Sequence, residues 1–136
     1  MFGVEVDANA VEEFEDSRDD IEPFGLDDLM VGDFLEVEGS QTGVVVFANE
    51  IERDDVDETR LRGTANEIDA GERSLSILGV AVVTDGSTQY EGLADEVMTA
   101  DAFFDALASG QTIVEAQWRD ATTDPTVPVH ELSLED

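Results

Sequence analysis

The sequence predicts a mainly β fold: tandem small OB-like Greek-key β-barrels, with one short helix in each complete copy. Three observations lead there. Short segments with apolar residues at every second position, rich in β-branched side chains and bounded by turn residues, recur along the chain. They recur twice in the same order, which makes them an internal repeat. The fuller version runs three strands, helix, two strands, the order of the five-stranded barrel of the OB type.

The repeat is visible segment by segment. Phe2-Gly3-Val4-Glu5-Val6 lies over Leu78-Gly79-Val80-Ala81-Val82, and Phe14-Glu15 over Tyr90-Glu91. Leu29-Met30-Val31-Gly32 matches Leu107-Ala108-Ser109-Gly110, Leu35-Glu36-Val37-Glu38 matches Val114-Glu115-Ala116-Gln117, and Asn49-Glu50-Ile51 matches His130-Glu131-Leu132. The spacing between matched segments only widens along the chain, as insertions confined to loops make it. The division expected is a truncated first copy over residues 1–55 and a complete second copy over residues 56–136.

In the second copy, Arg60 to Asp69 and Ser74 to Thr84 read as extended segments joined by Ala70-Gly71-Glu72, a hairpin signal. Thr99 can cap a short helix, Asp101 suits its positive end, and Phe103, Phe104 and Leu107 fall on one stripe before Gly110 ends it. Gln111 to Arg119 and Val127 to Glu135 are the last two strands. Between them lie Asp124-Pro125 and Pro128, which has no N–H to donate and belongs at an edge or a strand start. In the first copy the helix shrinks to a turn around Leu26 to Met30, followed by strands Phe34 to Glu38 and Val44 to Arg53. Counterparts of the strand Arg60 to Asp69 and of Ser74 to Leu78 are missing before Met1. The chain reads as a fragment of a longer protein, and the incomplete copy needs strands from elsewhere in the chain or from a second molecule. A salt-promoted homodimer through the N-terminal strand Met1 to Asp7 is the expected outcome.

Charge narrows the partners. Six Lys+Arg against 35 Asp+Glu give a net charge of −29, with no Lys at all. Phosphate backbones are bound by clustered basic residues that displace counterions, so nucleic acid is excluded as a partner and an anionic membrane surface is disfavoured. No apolar run is long enough for membrane insertion. The hydrophobic fraction of 41% suits a packed core, so the acidity decorates a folded chain, as expected of a protein kept soluble in salt. With Cys 0, disulfides, thiolate zinc sites and cysteine nucleophiles are absent together.

Candidate chemistry is sparse. His130, the only histidine, shares a face with Leu132 and Leu134 and reads as a partly buried strand residue. Carboxylate pairs are too numerous here to single out a glycosidase dyad, which needs one raised pKa and a defined separation. Calcium prefers carboxylate and carbonyl oxygens, and two runs offer them: Asp16, Asp19 and Asp20 in the first, Asp54, Asp55 and Asp57 in the second. Neither run has the spacing of an EF-hand loop, and both also read as solvated loop and linker. Tyr90 and Trp118 could stack on a sugar, or pack in the core.

The segments Leu61-Arg62-Gly63-Thr64-Ala65-Asn66-Glu67-Ile68-Asp69, Leu75-Ser76-Ile77-Leu78-Gly79-Val80, Tyr90-Glu91, and Gly32-Asp33 before Leu35-Glu36-Val37-Glu38-Gly39 resemble the bacterial domain of unknown function numbered 5666. The resemblance covers nearly the whole chain and implies tandem copies in exported bacterial proteins, hence a periplasmic or extracellular setting. It carries no catalytic residues. Two departures stand out: Ser109-Gly110-Gln111 replaces the usual Val-Gly-Asp, and Trp118 stands where the first copy has Gly39. The functional expectation is a non-catalytic exported binding or spacer module. Its alternatives are a calcium- or glycan-dependent adhesion module and an acidic nucleic-acid mimic that occupies a basic protein.

Overall fold

The computed structural model describes residues 3–119 and 124–135. Met1 and Phe2, the start of the expected N-terminal strand, lie outside the described residues. The chain divides into two compact units, Val4–Asp57 and one built on Glu58–Asp136. Both are dominated by strands, and the one α-helix of the described residues is six residues long. No helix among them is long and apolar enough to cross a membrane.

The first unit holds four strands: β1 (Glu5–Asp7), β2 (Glu13–Asp16), β3 (Phe34–Thr42) and β4 (Val45–Asp54). β4 is the centre. On one side β1 runs parallel to its first half and β2 parallel to its second, so the two short strands act as one interrupted strand. On the other side β3 pairs antiparallel through the tight turn at Gly43-Val44. The helix expected to shrink to a turn is a single 3-10 turn, Leu26–Asp28.

One irregularity sets which residues face where. Glu38 pairs with Glu50 and Gly39 with Ala48, leaving Asn49 as an extra residue on β4. Such a bulge lets the alternation change parity: Ala48 is buried on an even number, Ile51 and Arg53 on odd ones. The chains approach so closely there that a Cβ on Gly39 would lie 2.1 Å from the Phe47 carbonyl oxygen. Because the bulge continues the pairing rather than ending it, β3 runs to Thr42, beyond the expected Glu38.

The second unit contains β5 (Arg60–Asp69), β6 (Ser74–Ile77), β7 (Val80–Val82), β8 (Gln89–Glu91), β9 (Val97–Met98), α1 (Ala100–Asp105), β10 (Ile113–Gln117) and β11 (Glu131–Glu135). Their order in the sheet is β7-β6-β5-β10-β11-β8-β9. The expected segment Ser74 to Thr84 is split by a two-residue turn, Leu78-Gly79, both residues having positive φ. The last strand starts at Glu131 and not at Val127, because Pro128 withholds a donor next to the ladder. Barrel closure, expected of the complete second copy, is not observed among the described residues. Each sheet is open, and the terminal strands β7 and β9 have only three and two residues to pair with.

Thr99 caps α1 as expected, its Oγ accepting a hydrogen bond from the Ala102 N–H at 3.2 Å. Phe103 and Phe104 are buried and meet Tyr90 of β8 at centroid distances of 5.2 and 6.1 Å, which docks the helix on the sheet. The buried core of the unit also contains Leu61, Leu75, Ile77, Val82, Val114, Trp118 and Leu132.

The two units repeat one another in register. Val37–Ile51–Phe14 across the first sheet corresponds to Ala116–Leu132–Tyr90 across the second, as the sequence alignment places them. The matched glycines agree as well: Gly3 and Gly79, and Gly32 and Gly110, all have positive φ. Among the described residues, β5 and β6 have no counterpart in the first unit.

Candidate functional site

One face of the first sheet is a grid of carboxylates. Strand period two sends Glu13 and Glu15 of β2, Glu36 and Glu38 of β3, and Glu50 and Glu52 of β4 to the same side. Register then aligns them in two rows, Glu13–Glu50–Glu38 and Glu15–Glu52–Glu36. Asp54 extends the second row's corner: Glu36, Glu52 and Asp54 bring carboxylate oxygens within 4.8 Å of one another, as do Glu13, Glu15 and Glu50. Like charges directly opposite on neighbouring strands repel, and the titration of the central strand registers it. Glu50 is held above the ordinary glutamate value chiefly by Glu13, with burial and Glu38 adding to it. Glu52 is raised chiefly by burial, then by Glu15 and Asp54.

The opposite face explains why no cation relieves the grid from within its own unit. Arg53 alternates to the buried side, where its Nε and NH2 donate to the two oxygens of Asp16 at 3.1 and 2.8 Å. Its guanidinium also lies 4.8 Å from the centroid of Phe24 and donates to the Asp28 carbonyl oxygen. Asp16 further accepts from the backbone N–H of Arg18, Asp19 and Ile21, so these bonds hold its carboxyl well below the usual range. The unit's other arginine, Arg18, pairs with Asp19 and Asp33 at 2.9 and 3.0 Å.

The equivalent face of the second unit is built differently. Its rows read Gln89–Glu131–Gln117 and Glu91–Ser133–Glu115, so three of the six positions are uncharged. Beside them β5 adds Arg60 opposite Gln117 and Arg62 opposite Glu115. Arg62 also lies 3.9 Å from Glu135, the counterpart of Asp54. Burial and Glu91 still raise Glu131.

The residues singled out from sequence fall in different places. Asp16 is committed to the buried ion pair, Asp19 is exposed on the salt-bridged loop, and Asp20 is exposed with a φ of 55°. Asp54 joins Glu36 and Glu52, while Asp55 and Asp57 are exposed beyond the strand. The two aspartate runs are therefore not brought together as one cluster. Trp118 is 1% exposed and its Nε1 donates to the Val127 carbonyl oxygen, and Tyr90 sits against Phe103 and Phe104. Both rings lie in the core and present no face at the surface. His130 is half-buried, its Nδ1 accepting from Arg119 Nε at 3.1 Å.

Sequence reasoning missed the six glutamates of the grid. The signal was there in Glu13-x-Glu15, Glu36-x-Glu38 and Glu50-x-Glu52-x-Asp54, three period-two carboxylate runs; the second and most of the third lie on segments read as strands, whereas Glu13-x-Glu15 was matched only through the repeat. No curated protein and no solved structure matches the chain. The family described as "Domain of unknown function (DUF5666)" matches twice, at residues 2–52 and 62–123, once on each unit. A repeat that superposes register on register, and two family matches that together span most of the sequence, lead to one conclusion: this chain belongs to the DUF5666 family and carries two copies of its domain.

Proposed function

We propose that the chain is a non-catalytic binding module whose recognition surface is the glutamate grid of the first unit and whose ligand is cationic. The observation that carries this reading is the contrast between equivalent faces. The second unit replaces three of the six positions by neutral residues and adds two arginines, whereas the first keeps all six glutamates and spends its own arginines elsewhere. Six like charges side by side on three neighbouring strands cost stability, and a cation bound across them recovers it. A field of this sign also accelerates encounter with basic partners. An exported setting belongs to the same proposal, as does an OB-like strand path in the second unit. The latter is supported by β7 pairing with β6, β8 running parallel to β11, and Val129 N–H donating to the Val83 carbonyl oxygen.

A divalent-cation reading has its own observation, the convergence of Glu36, Glu52 and Asp54, since calcium takes carboxylate oxygens from several residues. Calorimetry on the whole chain separates the two. A short oligo-arginine peptide should give saturable heat that shrinks with added salt and falls at least tenfold in affinity in the Glu36→Gln/Glu50→Gln/Glu52→Gln variant. Saturable heat from calcium alone would move the assignment to a calcium module, and no heat from either would reject the grid as a binding surface.

A further inference from the structure

β3 pairs with β4 on one side only; among the described residues no strand lies along its other edge. The equivalent strand of the second unit, β10, is flanked on that edge by β5, which runs antiparallel to it with Thr64 opposite Ile113 and Arg60 opposite Gln117. An exposed edge of this length is a template for another strand. The side chains standing on it decide which strand it accepts.

We infer that the open edge of β3 is a docking site for an extended basic segment of a partner polypeptide, added antiparallel along Phe34–Glu38 in the register that β5 adopts on β10. This rests on the cationic-ligand reading above and specifies its partner. Transferring the pairing through the repeat puts the position of Arg60 opposite Glu38 and that of Arg62 opposite Glu36, within reach of Asp54 as Arg62 is of Glu135. On the other face the positions of Leu61 and Gly63 fall opposite Val37 and Leu35. Those two side chains are half-buried, while their counterparts Ala116 and Val114, covered in the second unit, are 0% exposed. The partner therefore has the pattern basic, apolar, basic, small. Main-chain bonds give such strand addition its affinity, and alternate side chains give it specificity. Acidic strands meet Glu36 and Glu38 and are repelled.

The main-chain groups concerned are known from the template. Thr59 accepts from Trp118 N–H and Ala65 donates to the Thr112 carbonyl oxygen, so by period two Leu61 and Gly63 also turn their amides toward β10. The test uses the full chain and two synthetic peptides of residues 59–66, one plain and one N-methylated at the Leu61 and Gly63 amides, beside the oligo-arginine control. Strand addition predicts that the plain peptide binds and that N-methylation weakens it at least tenfold with charge unchanged. Amide signals of Leu35 and Val37 should also shift and gain exchange protection with the plain peptide alone. Equal binding of the two peptides, or binding of oligo-arginine with neither, overturns the inference and leaves the cationic surface standing. Failure of all three overturns both. A dimer of the chain by light scattering, displaced by the plain peptide, assigns the edge to a second copy and likewise overturns the inference.

Discussion

Arg53 and Asp16 are 37 residues apart in sequence, yet their side chains are 4% and 0% exposed and meet bidentately. In the repeat alignment Arg53 corresponds to Leu134, so an ion pair does in the first unit what an aliphatic side chain does in the second. Removing one partner strands the other in the interior, which costs far more than the pair contributes. Asp16→Ala is accordingly expected to lower the melting temperature of the first unit by about 10 °C or more, followed by circular dichroism. Glu52 is the reverse case. Flanked by Glu15 and Glu36, it should be stabilising to neutralise, and Glu52→Gln should add about 0.2–1 kcal/mol in a urea titration. The pH dependence follows from the same residues. Glu50 and Glu52 are raised above 4.5 in the fold, so their protonation favours it below that value, and the gain is lost as pH rises through the raised values. Asp16 and Asp33 are lowered below 3.8, so their contribution is present above that value and lost as pH falls through the folded values. Thermal stability should therefore rise on acidifying from neutrality toward the ordinary glutamate value and collapse in stronger acid. A melting temperature that falls monotonically from neutrality downward would contradict this.

Among elements, strands were legible where apolar alternation and turn residues coincide. β5 was read with both its ends, and the Thr99 cap fixed the start of α1. The aligned repeat made the Phe14–Ile51 and Tyr90–Leu132 pairings equivalent to one another, because period two ties register to sequence wherever loops absorb the insertions, but the sequence alone indicated neither pairing. The grid was not legible, for a physical reason. In a chain with 35 acidic residues, alternate glutamates are background until the register of three strands puts them side by side. Nor was the ion pair, since nothing local to Arg53 indicates which of many aspartates it meets. Gly39 is the element-scale test. The atom a Cβ would strike is the Phe47 carbonyl, which cannot move without breaking the β3–β4 ladder. Gly39→Ala should cost about 1–3 kcal/mol and accelerate amide exchange on both strands.

At the scale of the molecule, the two units bury very different interiors. Of the fully buried apolar residues, only Ala48 and Ile51 belong to the first unit, while the second contains the aromatic set and most of the aliphatic ones. Small units with little apolar burial are marginal. We expect slow amide exchange to be confined to β5, β6, β10 and β11, and the first unit to melt earlier in calorimetry, with salt raising its transition more than the second by screening the grid. A single transition insensitive to salt would reject that ordering.

The extra residue at Asn49 has a consequence for how the gene tolerates change. Loss of the Asn49 codon leaves Ala48 followed by Glu50, which straightens the ladder while every other side chain of β4 keeps its face. Loss of the Glu52 codon three positions on has the opposite effect: with both ends of the pairing held, the remaining residues fill the ladder so that Glu50 turns inward and Ile51 outward. The bulge thus stores one residue of slack at one place in the reading frame. Among in-frame single-codon deletions in this strand, the first should yield folded protein and the second should not.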